Sequence, residues 1–554
     1  MNARKTLLTI KFPLALTVLT VALWPGSAQG ALAQDATQKI AGDSPAGSDV
    51  HSVKAANNGA APDTNNPNAE LLKELEQMRA RIEQLENQLK TQSGGATESS
   101  SQQAQPAIQT VSLTTTAKPG PAQTGDQAKP EKTAPAEPFA YADWTWLTGN
   151  PRTKTPAFDS KFFTPEIRAD IAYIYDFNHP ADDTIGGSSE VFRSQEFQLT
   201  QLGVGGDFHL DNVRGRLLTQ FGMYSQTQPR NDASPSRGQW SLDSAYRYLA
   251  EAYGGYHFNV LHGINVDAGI FMSYIGLFSF YNFDNWAYQP SYVSSNTPWF
   301  FNGMRIQIFP TDKLKIEPWI TNGWQSYGRF NHRLGLGGQI LWRPKGWISI
   351  VGNQYALGRD TLGVVGRTRF HTDDSIQIKY YDHPERGLDK MAFTLTGDAG
   401  CESGGGVNCF GNSSTGVKQS FLGFMAYNRF WFHKDLFAAT YGFGRINNPG
   451  RYLVLLPPID GATAATGTPY FTENPGDPFK AWDTTATFDY MPSQYITFRW
   501  EYNYRHANVP YFSGSGGITP PGGNNGNPGT LIPGFTPDLR KSETRLNLGL
   551  MVKF

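Results

Sequence analysis

The sequence predicts an all-β fold, a transmembrane antiparallel up-and-down β-barrel of about 16 strands, preceded by a short coiled coil. Three observations carry this reading. Aromatic residues make up 13% of the 554-residue chain, with 35 Phe, 25 Tyr and 13 Trp, while charged residues reach only 17%. From about residue 139 onward, apolar and polar side chains alternate with period two in one segment after another. Short polar turns also take turns with long connections, the asymmetry of barrels that cross an outer membrane. A barrel explains how so aromatic a chain keeps a mean hydropathy below zero, because half of its strand residues face lipid and half face water.

Taken in order, residues 1–33 read as a secretory signal. Arg4 and Lys5 give a basic start, residues 12–24 are apolar, Pro25-Gly26-Ser27 breaks the run, and Ala31-Leu32-Ala33 supplies small residues before Gln34. The apolar run is shorter than the ~20 residues a membrane-spanning helix requires. No later run approaches that length, so any insertion into a membrane must be by strands. Neither cysteine lies near the cleavage site, which excludes a lipid-anchored amino terminus. Residues 34–68 read as a polar disordered segment.

Residues 69–90 read as a coiled coil. Leu71, Leu75, Met78, Ile82, Leu85 and Leu89 follow one another by steps of four and three, the seam of a heptad repeat. Glu74 with Arg79, and Arg81 with Glu86, place opposite charges at g and the following e position, which suits parallel pairing in register. A lone amphipathic helix is the alternative. Residues 91–138, rich in Ser, Gln, Thr, Ala, Gly and Pro, read as a flexible linker without a core. Residues 139–554 are then the barrel.

Within the barrel, Ile167, Ala169, Ile171, Tyr173 and Tyr175 alternate with Glu166, Arg168, Asp170 and Asp176. In ITFRWEYNYR, Ile496, Phe498, Trp500, Tyr502 and Tyr504 alternate with Thr497, Arg499, Glu501, Asn503 and Arg505. Seven polar turns separate such segments, at Asp211-Asn212, His262-Gly263, Thr311-Asp312-Lys313, Pro344-Lys345-Gly346, Asp373-Asp374, His433-Lys434-Asp435 and Pro492-Ser493. Longer connections fall at 276–300, 382–418, 447–480 and 506–540. Seven hairpins plus a first strand near 166 and a last near 545 give about sixteen strands, enough to enclose water. The phase breaks near 197–210, where Phe197 and Leu199 conflict with Leu202 and Val204, and a bulge is expected there. The closing strand RLNLGLMVKF ends on Phe554, an aromatic placed at the membrane–water boundary.

The runs GIFMSYIGLFSFYNFDNWAYQP and WFFNGMRIQIFPTDKLKIEPWITNGW resemble the OmpL-like outer-membrane β-barrel porins, and ITFRWEYNYR and the terminal strand fit the same pattern. The resemblance implies a diffusion porin of a Gram-negative-type outer membrane, surrounded by outer-membrane lipid. A coil before a barrel is similar to the arrangement in sucrose-type and DcaP-like trimeric porins, which implies a homotrimer with the coil in the periplasm. The terminal strand also resembles the signal read by barrel-assembly machinery, with Phe554 as the recognition element.

On this reading the candidate pore-lining residues are Arg168, Arg247, Arg305, Lys315, Arg367, Arg369, Arg499, Glu501 and Arg505. Basic groups outnumber acidic ones on the water-facing side, and Arg367 and Arg369 have no acid in their own strand. That points to a weak anion preference, unless the charges pair across strands and cancel. Phe283, Trp286, Tyr288 and Tyr292 lie in the connection between the fifth and sixth strands. They would either line a constriction, where rings stack on sugars, or pack as an outer loop; the sequence does not separate the two. Cys401 and Cys409 are expected to form a disulfide in an oxidising compartment, with a metal site the lesser reading.

Other classes find little support. A net charge of −1 and the absence of any recognition motif exclude a nucleic-acid partner. No HExxH, CxxC or Walker pattern is present, so no cofactor or metal is expected. An outer-membrane hydrolase would need a Ser–His pair meeting in the fold, and a structural protein would use the coil and linker to reach peptidoglycan.

Overall fold

The computed structural model describes Ala80 and residues 136–554 apart from 150–155, 186–190, 192, 230–231, 233–238, 279, 330–332, 356–365, 412–413, 415, 449–478 and 519–532. The signal, the polar segment, the coiled coil except Ala80, and all but the last residues of the linker lie outside the described residues.

Sixteen antiparallel strands close into one barrel. They are β1 (Phe163–Asp176), β2 (Phe197–Leu210), β3 (Val213–Thr219), β4 (Leu249–Phe258), β5 (Ile264–Met272), β6 (Phe300–Thr311), β7 (Leu314–Thr321) and β8 (Gly335–Lys345). The second half comprises β9 (Ile348–Tyr355), β10 (Thr368–Asp382), β11 (Leu388–Ser403), β12 (Ser420–Phe432), β13 (Phe437–Asn447), β14 (Lys480–Ser493), β15 (Ile496–Ala507) and β16 (Ser542–Lys553). Each strand pairs with its neighbours in sequence, and β16 closes on β1 with Arg168 opposite Lys553 and Asp176 opposite Arg545. Closure leaves no unpaired edge, which a sheet in lipid requires. Phe554 extends the seam by exchanging main-chain hydrogen bonds with Ile167, while its exposed ring stacks on Tyr495.

The predicted bulge is present. Asp170 pairs with Gln201 but Ile171 pairs with Leu199, so Thr200 is the extra residue on β2. Thr200 and Gln201 are both buried, and the outward phase passes from Phe197 and Leu199 to Val204.

One predicted turn is corrected. Asp373-Asp374 lies within β10, where Asp373 pairs with Asn353 and Asp398 and Asp374 with Gly352 and Gly397. The short turn falls instead at 383–387, and β11 occupies much of the predicted long connection. Two adjacent carboxylates read as a turn because Asp is a turn former. Here Asp373 points inward to Asn353, which donates to it at 3.4 Å, and Asp374 points outward and accepts from Thr372 Oγ1 at 2.9 Å. The two errors cancel, so the strand number stands at sixteen.

Outward positions carry the apolar belt. Phe437, Phe488, Trp500, Tyr490 and Phe498 stack across β13, β14 and β15 with centroids 5.4–6.0 Å apart. Cys401, at the end of β11, is bonded to Cys409, with Cα atoms 5.0 Å apart.

A candidate pore with a docked loop

The connection between β5 and β6, residues 273–299, does not stand outside the barrel. It folds into the lumen and is buried along almost its whole described length. An irregular chain placed there has main-chain N–H and C=O groups that no ladder satisfies. The inner wall supplies partners of both signs. Glu501 on β15 accepts from the N–H groups of Tyr288 (2.5 Å) and Gln289 (2.8 Å), and Asp483 on β14 accepts from the Tyr292 N–H (3.0 Å) and the Ser291 hydroxyl (2.7 Å). Arg505 donates to the Pro290 carbonyl at 2.6 Å, and Arg499 to the Asn282 carbonyl at 3.4 Å. On β1, Arg168 holds Asp284 at 2.8 Å.

The loop's aromatics face the same wall. Trp286 meets Trp431 of β12 edge-on at 5.8 Å, and the Tyr288 hydroxyl donates to Asp170 at 2.9 Å. Phe283 lies under the Arg499 guanidinium, and Tyr292 under that of Arg505. All four rings are at most 3% exposed, so none offers a free face to a passing solute. They anchor the loop. Two strand glycines make room for it, since a Cβ at Gly444 would fall 1.8 Å from Ser291 Oγ and one at Gly549 2.6 Å from the Phe283 ring.

The nine predicted pore-lining residues therefore separate into three sets. Arg168, Arg369, Arg499, Glu501 and Arg505 point inward but are buried, four of them against the loop and Arg369 against Glu402 and Trp324. Arg305, Lys315 and Arg367 keep side chains 13–15% exposed. Arg247 lies on no strand; it follows the short helix Leu242–Tyr246 in the connection before β4.

Ion pairs cross the strands throughout. Arg214 and Arg305 share Asp267, Arg367 and Arg369 share Glu402, and Arg429 and Arg499 share Asp489. Arg216 shows the reverse, with Glu166, Asp207 and Glu251 around one guanidinium. Arg367 and Arg369 do have an acidic partner, Glu402, which lies in β11 and not in the long connection that the sequence predicts at 382–418. Arg429 was missed although it shares the inward face of β12 with Tyr427 and Trp431, and glycines in the inward phase of β13 and β16 were the sequence signal of a close approach from inside.

A match to the family described as "Putative beta-barrel porin-2, OmpL-like" extends over residues 168–554. The chain belongs to the OmpL-like β-barrel porin family. It is an outer-membrane porin by family, and its fold agrees. Among solved structures, this porin is similar to the outer membrane channel DcaP of Acinetobacter baumannii, with 14% identity, 72% of this chain and 100% of that chain covered, and a TM-score of 0.38. It is similar to OprB of Pseudomonas putida (11% identity, 71% and 94% covered, TM-score 0.39) and to an anion-selective porin from Comamonas acidovorans (9% identity, 71% and 99% covered, TM-score 0.38). No curated protein matches the chain.

Proposed function

We propose that this porin passes small hydrophilic solutes and ions by passive diffusion, with a weak preference for anions and without catalysis. The loop between β5 and β6, bound inside the barrel by Glu501, Asp483 and Arg505, carries this reading, because it narrows the water-filled space of a sixteen-stranded barrel to a constriction. Support for the sign comes from Asp267 and Glu402, each serving two guanidinium groups of which those of Arg305 and Arg367 stay partly exposed, while the three carboxylates around Arg216 act in the opposite sense and limit the preference. Physiological salt, with a screening length of about 8 Å, keeps the preference weak. The buried pair His371–Asp398, 2.9 Å apart, has no exposed side-chain surface for a substrate to reach, which supports a channel rather than a hydrolase.

The reversal potential across a salt gradient tests the sign. Anion preference is expected at low salt, and Arg305→Ala with Arg367→Ala should move the potential toward cations. Clear cation selectivity of the unaltered protein would remove the charge argument, and the absence of any channel in planar bilayers would remove the porin reading.

We further propose a homotrimer with its amino-terminal coil in the periplasm. On the outward face, Gln354 donates to Thr372 at 2.6 Å and Thr372 to Asp374 at 2.9 Å, beside Gly352 and Gly397. A carboxylate and its polar neighbours are costly against lipid, and a second copy covering this wall offsets that cost. A single-chain mass in mild detergent would count against the trimer.

A further inference from the structure

Residues 136–149 precede β1, belong to no strand, and have no place in the alternating pattern. Their path begins at the short-turn rim of the barrel. The Ala136 carbonyl lies 2.8 Å from His262 Nδ1 in the β4–β5 turn, and the Phe139 N–H donates to the Asp312 carbonyl in the β6–β7 turn at 2.7 Å. Phe139 packs edge-on against Phe309 of β6, and the Arg343 guanidinium of β8 covers both Phe139 (5.0 Å) and Trp144 (4.7 Å). A short 3₁₀ turn, Thr145–Leu147, then carries the chain inward.

The far end reaches the docked loop. Trp146 is 1% exposed and shares one apolar cluster with Trp286 of the loop and Trp431 of β12. The Gly149 N–H donates to the Asp284 carbonyl at 2.8 Å, and its own carbonyl accepts from Arg429 at 3.0 Å. Only glycine fits there, because a Cβ would fall 1.7 Å from the Asn285 carbonyl oxygen. Asp284 is thus held from two sides, its carboxylate by Arg168 and its carbonyl by Gly149. The segment follows the rim, past the β4–β5 and β6–β7 turns, β8, the β8–β9 turn and the end of β10, before Trp146 and Gly149 turn in to the wall of β12. Beside it, a cleft of about 730 Å³ remains open at the rim, lined by Ala142 and Asp143 on the segment and by Trp347, Lys379 and Asp382 on the barrel.

We infer that residues 136–149 are a second constriction element, a strap laid along the short-turn rim whose last residues enter the lumen, narrow the path and pin the β5–β6 loop against the wall. Loop and strap together then set the size limit for solutes, with Trp146 and Gly149 as the positioning residues where the two meet. The inference rests on the porin reading. Its chemistry is neutral toward solute class: the strap excludes by bulk, and its aromatic residues are spent on the barrel.

The test uses the full chain in planar bilayers and in proteoliposomes challenged with neutral sugars of increasing size. Two variants are compared with the unaltered protein, one with residues 137–149 replaced by a Gly/Ser segment of equal length and one carrying Gly149→Val. Both are expected to raise single-channel conductance about twofold, as a wider water path requires, and to admit sugars that the unaltered channel excludes. The reversal potential should move little, since the strap brings few charges into the path. Unchanged conductance and an unchanged sugar limit in either variant, once its heat-modifiable gel migration shows a folded barrel, would overturn the inference. Should the Gly/Ser replacement fail to assemble, Gly149→Val alone decides. A silent unaltered protein would instead refute the porin reading, so the two failures are distinguishable.

Discussion

Replacing Glu501 with Leu should release the tip of the β5–β6 loop and raise mean conductance about twofold, with frequent transitions between levels. The reason is local. Glu501 accepts from Tyr288 N–H, Gln289 N–H, Thr487 Oγ1 and Asn547 Nδ2, all within 3.0 Å and all buried. Leucine leaves four donors without an acceptor, at about 1–3 kcal/mol for each one that stays buried. Main-chain donors of a loop recover hydrogen bonds most readily by moving into water, whereas Thr487 and Asn547 are fixed on strands. The loop is therefore the part that moves, and the barrel should assemble normally. Traces of Glu501→Leu that match the unaltered channel in level and noise would show that the tip is held by its aromatics alone.

The second large effect is expected at Asp489. Its carboxylate lies 2.7 Å from Arg429 and 2.7 Å from Arg499, and none of the three side chains is exposed. Asp489→Leu leaves two guanidinium groups buried without their shared counter-charge, and removing one partner of such an arrangement costs ~3–5 kcal/mol. Because Arg499 also donates to the loop at Asn282, and Arg429 to the strap at Gly149, damage should spread to both constriction elements. Conversion of the folded to the unfolded gel band should occur at a clearly lower temperature. Combining Asp489→Leu with Arg429→Leu and Arg499→Leu should recover much of the loss, because no unpaired charge then remains. An unshifted transition in the single variant would mean that water reaches these groups and screens them.

Both expectations depend on a role that the inward charges do not reveal on their own. Alternation places Arg499, Glu501 and Arg505 on the opposite face from Trp500 and Tyr502, and that much is plain in ITFRWEYNYR. Whether such a face meets water or a folded-in loop is invisible in the strand itself, since charged side chains suit either. In this porin the face that reads as water-filled is the buried one across β14, β15 and β16. The loop aromatics show the same ambiguity. Phe283, Trp286, Tyr288 and Tyr292 are as suited to stacking on a solute as to packing on a wall, and their burial decides for the wall.

By itself the sequence determined the class of fold, the bulge on β2, the closing strand, the disulfide and which stretch of chain joins β5 to β6, because each follows from periodicity or spacing along a single stretch of chain. It misplaced one turn at Asp373-Asp374, where local turn preference yields to ladder hydrogen bonds on both sides. Only the tertiary structure decided that Glu402 pairs with Arg367 and Arg369, that Asp489 serves Arg429 and Arg499, and that residues 136–149 follow the rim and turn in to Asp284. These are meetings between groups far apart in sequence, fixed by barrel closure and by the need of an irregular loop to satisfy its main chain. No pattern within one segment encodes them.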